Sequence, residues 1–168
     1  GRPSTIDLPE SPLPGYGMVT SDDFESGELA LEWQFNHNPD NKNWSLSANP
    51  GFFRITTGRT DSRVVNAKNT LTQRSFGPKS SGRTLVDGKG MKDGDMAGLV
   101  ALQDDKGFVA LAKENGNYKV VMYTGNKDGE RQAASQALSD SKVYLRIDFD
   151  LPIDRGTAYF YYSTDGNT

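Results

Sequence analysis

The spacing of apolar and polar residues changes character near residue 20. Residues 1–19 carry Pro3, Pro9, Pro12 and Pro14 with no apolar period between them. Each proline fixes φ and removes a backbone donor, so this stretch predicts an extended arm or linker. From residue 20 to 168 the chain turns to short apolar or alternating runs separated by turn residues, the rhythm of an all-β domain. The clearest run is 143–149, where Val143, Leu145, Ile147 and Phe149 share one face and Tyr144, Arg146 and Asp148 the other, the period of two that marks a half-buried strand. In 157–163, Ala158, Phe160 and Tyr162 alternate with Tyr159 and Tyr161, so both faces carry aromatic rings.

Further strands are expected at 22–24, 32–35, 44–46, 52–56, 69–74, 83–86, 96–102, 108–112, 118–123 and 132–138. Between them lie turn-rich segments such as Asn38-Pro39-Asp40-Asn41, Asn49-Pro50-Gly51, Asp104-Asp105-Lys106-Gly107 and 124–129. No stretch forms a convincing amphipathic helix; residues 26–31 and 132–138 come nearest, and both are short. The expected architecture is all-β, a two-sheet antiparallel sandwich of jelly-roll type. After the last strand, Thr164-Asp165-Gly166-Asn167 reads as a hairpin turn whose returning strand lies outside the 168 residues. Closing strands are therefore expected to be missing from this chain and to sit beyond it or on another fragment.

Composition narrows the chemistry. A length of 168 residues suits one core. With 19 basic and 22 acidic residues the net charge is −3, leaving no basic surplus for a phosphate backbone, so nucleic acid is not an expected partner. Nor is a membrane, since no apolar run reaches the roughly 18 residues a spanning helix needs, and the first residues lack a signal-peptide layout. The compartment stays open between secreted, periplasmic and cytoplasmic, depending on upstream sequence. The chain has no Cys and one His, which removes thiol chemistry, disulfides, His-based triads and multi-His metal sites. Carboxylate chemistry of the glycosidase type remains, or no chemistry at all.

Three constellations bear on function. The run Trp33-Gln34-Phe35-Asn36-His37-Asn38-Pro39-Asp40, with Trp44 close behind, gathers indole, amide and imidazole groups around one turn. Such a mixture suits sugars, whose C–H faces pack on aromatic rings while amides bond to hydroxyls. Large aromatics in strand-like runs also suit a core, and His37 also suits a turn-stabilising role. The second constellation, residues 66–74, holds Asn66, Asn69, Thr72, Gln73 and Arg74; Arg74 can fork two hydrogen bonds to vicinal hydroxyls or to a carboxylate. A solvated sheet face explains it equally. The third is acidic: Asp22-Asp23, Asp93 with Asp95, and Asp104-Asp105. Loop carboxylates suit Ca²⁺, although most such pairs are solvated turns.

Taken together, several motifs resemble one domain type. They are Asp22-Asp23-Phe24, the Trp33 to Asp40 run, Trp44-Ser45-Leu46, Pro50-Gly51-Phe52-Phe53-Arg54, Asn69-Thr70-Leu71-Thr72-Gln73-Arg74, Met91-Lys92-Asp93-Gly94-Asp95-Met96-Ala97-Gly98-Leu99 and Tyr161-Tyr162-Ser163-Thr164-Asp165-Gly166. Residues 20–168 resemble the C-terminal concanavalin A-like β-sandwich, also classed as carbohydrate-binding module family 91, of bacterial glycoside hydrolase family 43 β-xylosidases and α-L-arabinofuranosidases. The resemblance implies a partner, an N-terminal five-bladed β-propeller that holds the catalytic carboxylates, with residues 1–19 as the connector and further closing strands after the Ser-x-Asp-Gly turn.

In some of these enzymes a sandwich loop places a Phe at the propeller's pocket. The corresponding segment here, 58–69, has no aromatic residue and leaves Arg59, Arg63 and Asn66 as polar contacts. The resemblance further implies no required cofactor other than a structural Ca²⁺ near Asp22 and Asp23. The expected function is a non-catalytic accessory module that assists recognition of xylan, xylo-oligosaccharide or arabinoxylan. Its carbohydrate-binding or propeller-facing residues would be Trp33, Asn36, His37, Asn38, Arg63, Asn66, Gln73 and Arg74. The alternative is a purely structural module that stabilises the propeller; a third reading is a stand-alone glycosidase built on the chain's own carboxylates.

Overall fold

The computed structural model describes residues 21–103, 105–152 and 156–167, so the Pro-rich segment 1–19 lies outside the described residues. Seven long strands are present among the described residues: β5 (Lys79–Asp87), β6 (Met96–Ala101), β7 (Lys106–Glu114), β8 (Asn117–Gly125), β9 (Glu130–Leu138), β10 (Lys142–Asp150) and β11 (Thr157–Ser163). Four two-residue strands precede them in the chain: β1 (Gln34–Phe35), β2 (Trp44–Ser45), β3 (Arg54–Ile55) and β4 (Leu71–Thr72).

All pairings are antiparallel. One sheet has the order β6-β7-β8-β9 and the other β11-β10-β5, while β1 pairs with β4 and β2 with β3. Strand β10 behaves as its alternation requires: Val143, Leu145 and Ile147 are buried and Tyr144 is exposed. Val143 and Leu145 meet Val109, Leu111 and Val120 of the four-stranded sheet, with Val86, Met91, Leu99, Tyr118, Leu138 and Phe160 packed around them. The two-sheet sandwich expected from the sequence is therefore present.

Strand β7 is buried on both faces. Val109 and Leu111 point into the sandwich, while Phe108, Ala110 and Ala112 form a second cluster with Val121, Val100, Tyr123 and Val64. That is why 108–112 reads as an unbroken apolar run, the pattern of a strand covered on both sides. Phe108 and Tyr123 are cross-strand partners and stack with centroids 4.8 Å apart. The backbone approach is close at Gly98, where an added Cβ would run into the Val109 carbonyl. In the β8–β9 ladder, Met122 pairs with Ala134 but Tyr123 pairs with Gln132, so Ala133 is an extra residue, a β-bulge.

The structure departs from expectation where polar side chains compete with the ladder. Residues 22–24 form no strand: Asp22 Oδ1 accepts the Phe24 N–H, Asp23 Oδ1 accepts the Glu25 N–H, and Phe24 sits at φ 56°. These carboxylates capture the backbone donors a strand would need. The expected strand 69–74 shrinks to β4 because Asn69 sits at φ 60°, outside the extended region. Strand β5 starts before the expected 83, since Ser80, Ser81 and Gly82 pair with Phe149, Asp148 and Ile147. Residues 132–138, one of the two nearest approaches to a helix, lie in β9.

Leu111 is fully buried between the sheets, so Leu111→Ala should cost about 2–5 kcal/mol of stability. Gly98→Ala should cost about 1–3 kcal/mol through overpacking. Urea unfolding monitored by tryptophan fluorescence measures both.

Candidate functional site

The outer cluster on the four-stranded sheet needs a cover, and the chain between β3 and β4 supplies it. A 3₁₀ turn, Val64–Asn66, seats Val64 on that cluster. Polar ties hold the segment down. The Val64 N–H donates to both carboxylate oxygens of Glu130, at 3.1 and 3.2 Å. The Asn126 carbonyl accepts from Arg63 Nη2 at 2.9 Å and from Lys106 Nζ at 3.0 Å. Glu130 and Asn126 thus fix this segment to the β8–β9 end of the sheet.

Asn69 is the second anchor, buried to 3% exposure. Its Oδ1 accepts the Asp40 N–H at 2.9 Å, and its Nδ2 donates to the carbonyls of Asp40 and Asn43, each at 3.3 Å. Its left-handed φ is one that Asn tolerates better than most residues. The 40–43 turn is thereby locked beside the start of β4. Within that turn, the Asn43 amide donates to Asp40 Oδ2 at 2.7 Å and the Lys42 N–H to Oδ1 at 3.2 Å. The Asn43 hydrogen bond, helped by the Lys42 N–H, holds the Asp40 carboxyl below the ordinary carboxylate range.

Between these anchors opens a shallow cavity of about 280 Å³, lined by His37, Arg59, Asp61, Asn66 and Lys68. His37 Nε2 donates to the Val65 carbonyl at 2.6 Å, and Asn36 Nδ2 reaches the same oxygen at 3.4 Å. Arg59 grips Asp61 at two points, Nε to Oδ2 at 3.0 Å and Nη2 to Oδ1 at 2.7 Å, and Nη2 also donates to the Asn66 carbonyl at 2.7 Å. Lys68 Nζ donates to the Asn38 carbonyl at 3.1 Å. The lining offers amide, imidazole, guanidinium and ammonium donors around a single carboxylate. It suits hydroxyl or backbone-carbonyl recognition, and it lacks the paired carboxyls that glycoside hydrolysis uses.

Of the residues singled out from sequence, Asn36, His37, Asn38 and Asn66 come together at or beside this cavity. Arg63 instead turns to Asn126 and serves as a tie. Trp33 lies in an aromatic cluster: Phe24 is 5.7 Å from it and 5.9 Å from Phe53, and Phe53 contacts Phe35 and Trp44. Its indole N–H is spent on Asp22 Oδ2 at 2.8 Å. Gln73 and Arg74 are exposed beyond β4 and do not line the cavity. Asp61 and Lys68 complete the lining although neither stands out in sequence; the one cue is the opposite charge of Asp61 two residues after Arg59.

Among the described residues no three His, Cys, Asp or Glu side chains cluster as metal ligands. Both Asp22 oxygens already accept hydrogen bonds from the chain.

A two-sheet antiparallel sandwich with a pinned polar layer on one side defines this chain as a concanavalin A-like β-sandwich domain. The family model for the β-xylosidase C-terminal concanavalin A-like domain matches residues 21–168, and the chain belongs to that family. A β-xylosidase of Formosa agariphila is 32% identical over 54% of this chain and 19% of its own length. Among solved structures, a bifunctional GH43-CE protein of Bacteroides eggerthii superposes with a TM-score of 0.88 at 41% identity, covering 99% of this chain and 22% of that one. The GH43 protein BlXynB of Bacillus licheniformis gives a TM-score of 0.75 at 27% identity over 88% of this chain and 28% of that one. The chain thus spans about a fifth to under a third of the length of these relatives.

Asn69→Ala strands the Asp40 N–H and two carbonyls, and should lower stability by about 1–3 kcal/mol in urea unfolding. Asp40 contributes stability that is fully present above the ordinary carboxylate range and is lost as pH falls through its lowered folded-state value. Asn43→Ala should raise the Asp40 carboxyl back toward the ordinary range, read by NMR titration of its side-chain carbon.

Proposed function

We propose that this chain is a non-catalytic accessory module of a larger xylan-degrading enzyme. It seats the 58–69 layer toward a catalytic β-propeller and assists recognition of xylan-type chains. The observation that carries this reading is the family match over residues 21–168, with relatives named as β-xylosidase and GH43 proteins. The site supports it chemically. A layer whose cavity presents mostly donors, and whose backbone is pinned by Glu130, Asn126 and Asn69, offers a rigid polar surface to a neighbouring domain or to a sugar hydroxyl. No pair of carboxyls faces across the cavity, which supports recognition without hydrolysis.

Isothermal titration of the chain with xylan and arabinoxylan should give measurable heat, while aryl β-xylosides and α-L-arabinofuranosides are not turned over. Turnover by the pure chain would sink the non-catalytic reading. Absence of heat, together with a lowered melting temperature of the parent enzyme when the module is deleted, would replace assisted recognition with a purely structural role.

A further inference from the structure

The outward face of the β11-β10-β5 sheet lies on the opposite side of the sandwich from the 58–69 layer. There Tyr159 and Tyr161 stand two residues apart on one side of β11, opposite Asp148 and Arg146 of β10. Both rings are open to solvent, Tyr159 at 51% and Tyr161 at 42% exposure. They line a groove of about 440 Å³ with Lys79, Ser81, Asp148 and Asp150.

The polar groups of this groove are already positioned. Arg146 lies over the Tyr161 ring at 4.4 Å and pairs with Asp148 Oδ1 at 3.3 Å. The Ser81 hydroxyl donates to that same oxygen at 2.7 Å. Both contacts fall on Oδ1, and Asp148 lines the groove. The third tyrosine of the face, Tyr144, is also exposed, at 42%, and lies beside the turn after β11, where a Cβ at Gly166 would be 3.1 Å from its ring. The tyrosines that line the groove are Tyr159 and Tyr161.

We infer that this groove is a binding site for a neutral β-linked polysaccharide chain of the xylan type. Its charged groups are mixed in sign, with Lys79, Arg83 and Arg146 interspersed with Asp148 and Asp150 on the same face, so no strong single-sign field favours an ionic ligand. Exposed tyrosyl faces ringed by hydroxyl, carboxylate and ammonium groups match a ligand with C–H faces and peripheral hydroxyls. Asp148 and Asp150 stand two residues apart on the same face of β10 and offer acceptors to hydroxyls along the groove. Its location leaves it free when a catalytic domain occupies the far side. The inference rests on the proposed role in xylan recognition and assigns that role to a surface distinct from the His37 cavity.

The test is titration of the chain with xylohexaose, by calorimetry and by NMR shift mapping. The wild type should bind with its largest shifts in 79–81, 146–150 and 157–161. Tyr159→Ala with Tyr161→Ala should weaken binding about tenfold, equivalent to about 1.4 kcal/mol, with urea unfolding confirming a folded chain. Tyr159→Phe with Tyr161→Phe, which keeps the rings, should bind nearly as the wild type does. Unchanged affinity in the double alanine variant, or shifts centred on His37 and 59–68, would overturn the groove assignment while leaving xylan recognition intact. No binding by the wild type would overturn both.

Discussion

The structure depends on one constraint: strand β7 carries apolar side chains on both faces, so both must be covered. The face with Val109 and Leu111 is covered by the second sheet, through Val143 and Leu145. Among the described residues no third sheet covers the face with Phe108, Ala110 and Ala112. What comes to it from outside the four-stranded sheet is Val64, carried on a single 3₁₀ turn. A covering segment without a ladder must find other partners for its backbone groups, and here they are side chains: Glu130 for the Val64 N–H, His37 and Asn36 for the Val65 carbonyl, Arg59 for the Asn66 carbonyl. The polar cavity is what this side-chain bonding leaves between the ties.

This origin also explains which parts of the molecule were legible in the sequence. The long strands announce themselves because their side chains alternate or run apolar in step with burial, as 143–149 and 108–112 show. The short ladders do not. Each has two residues, and their placement follows from long-range bonds such as Asn69 to Asp40 and Asn43, across 29 and 26 positions. Asp22 and Asp23 misled in the same way, since a strand reading ignores their capture of the next N–H groups. At the site, the polar run 36–38 was visible as a concentration of amide and imidazole. Asp61 and Lys68 were not, because an isolated charge in a polar loop carries no period and acquires its place only when the layer folds over the sheet.

The two sides of the sandwich present different chemistry for the same reason. On the four-stranded sheet, apolar outward residues recruit a loop, and the loop brings polar groups with it. On the three-stranded sheet, the outward residues of β10 and β11 include tyrosines, Lys142, Arg146 and the carboxylates Asp148 and Asp150, which tolerate water and need no cover. The relatives that share this domain are much longer, the chain spanning 19% of the Formosa agariphila β-xylosidase and 22% of the Bacteroides eggerthii protein. A domain with two unlike surfaces can meet a neighbouring domain on one side and solvent or a polymer on the other.

The bulge at Ala133 acts as a parity switch. Along β9, Ala134, Gln136 and Leu138 share the ladder positions of the inward-facing Met122, Val120 and Tyr118; past the extra residue, Gln132 and Glu130 fall in step with Tyr123 and Gly125 instead. Because side chains alternate, one inserted residue moves every later side chain to the opposite face. Glu130 reaches Val64 only on account of that count. The same residues in an unbulged ladder would keep the pairing from Tyr118 to Met122, yet would set Glu130 opposite Asn126, turn it to the other face and unfasten the layer that carries the cavity. In this domain, attachment of the polar layer depends on the bulge in β9 as much as on residue type.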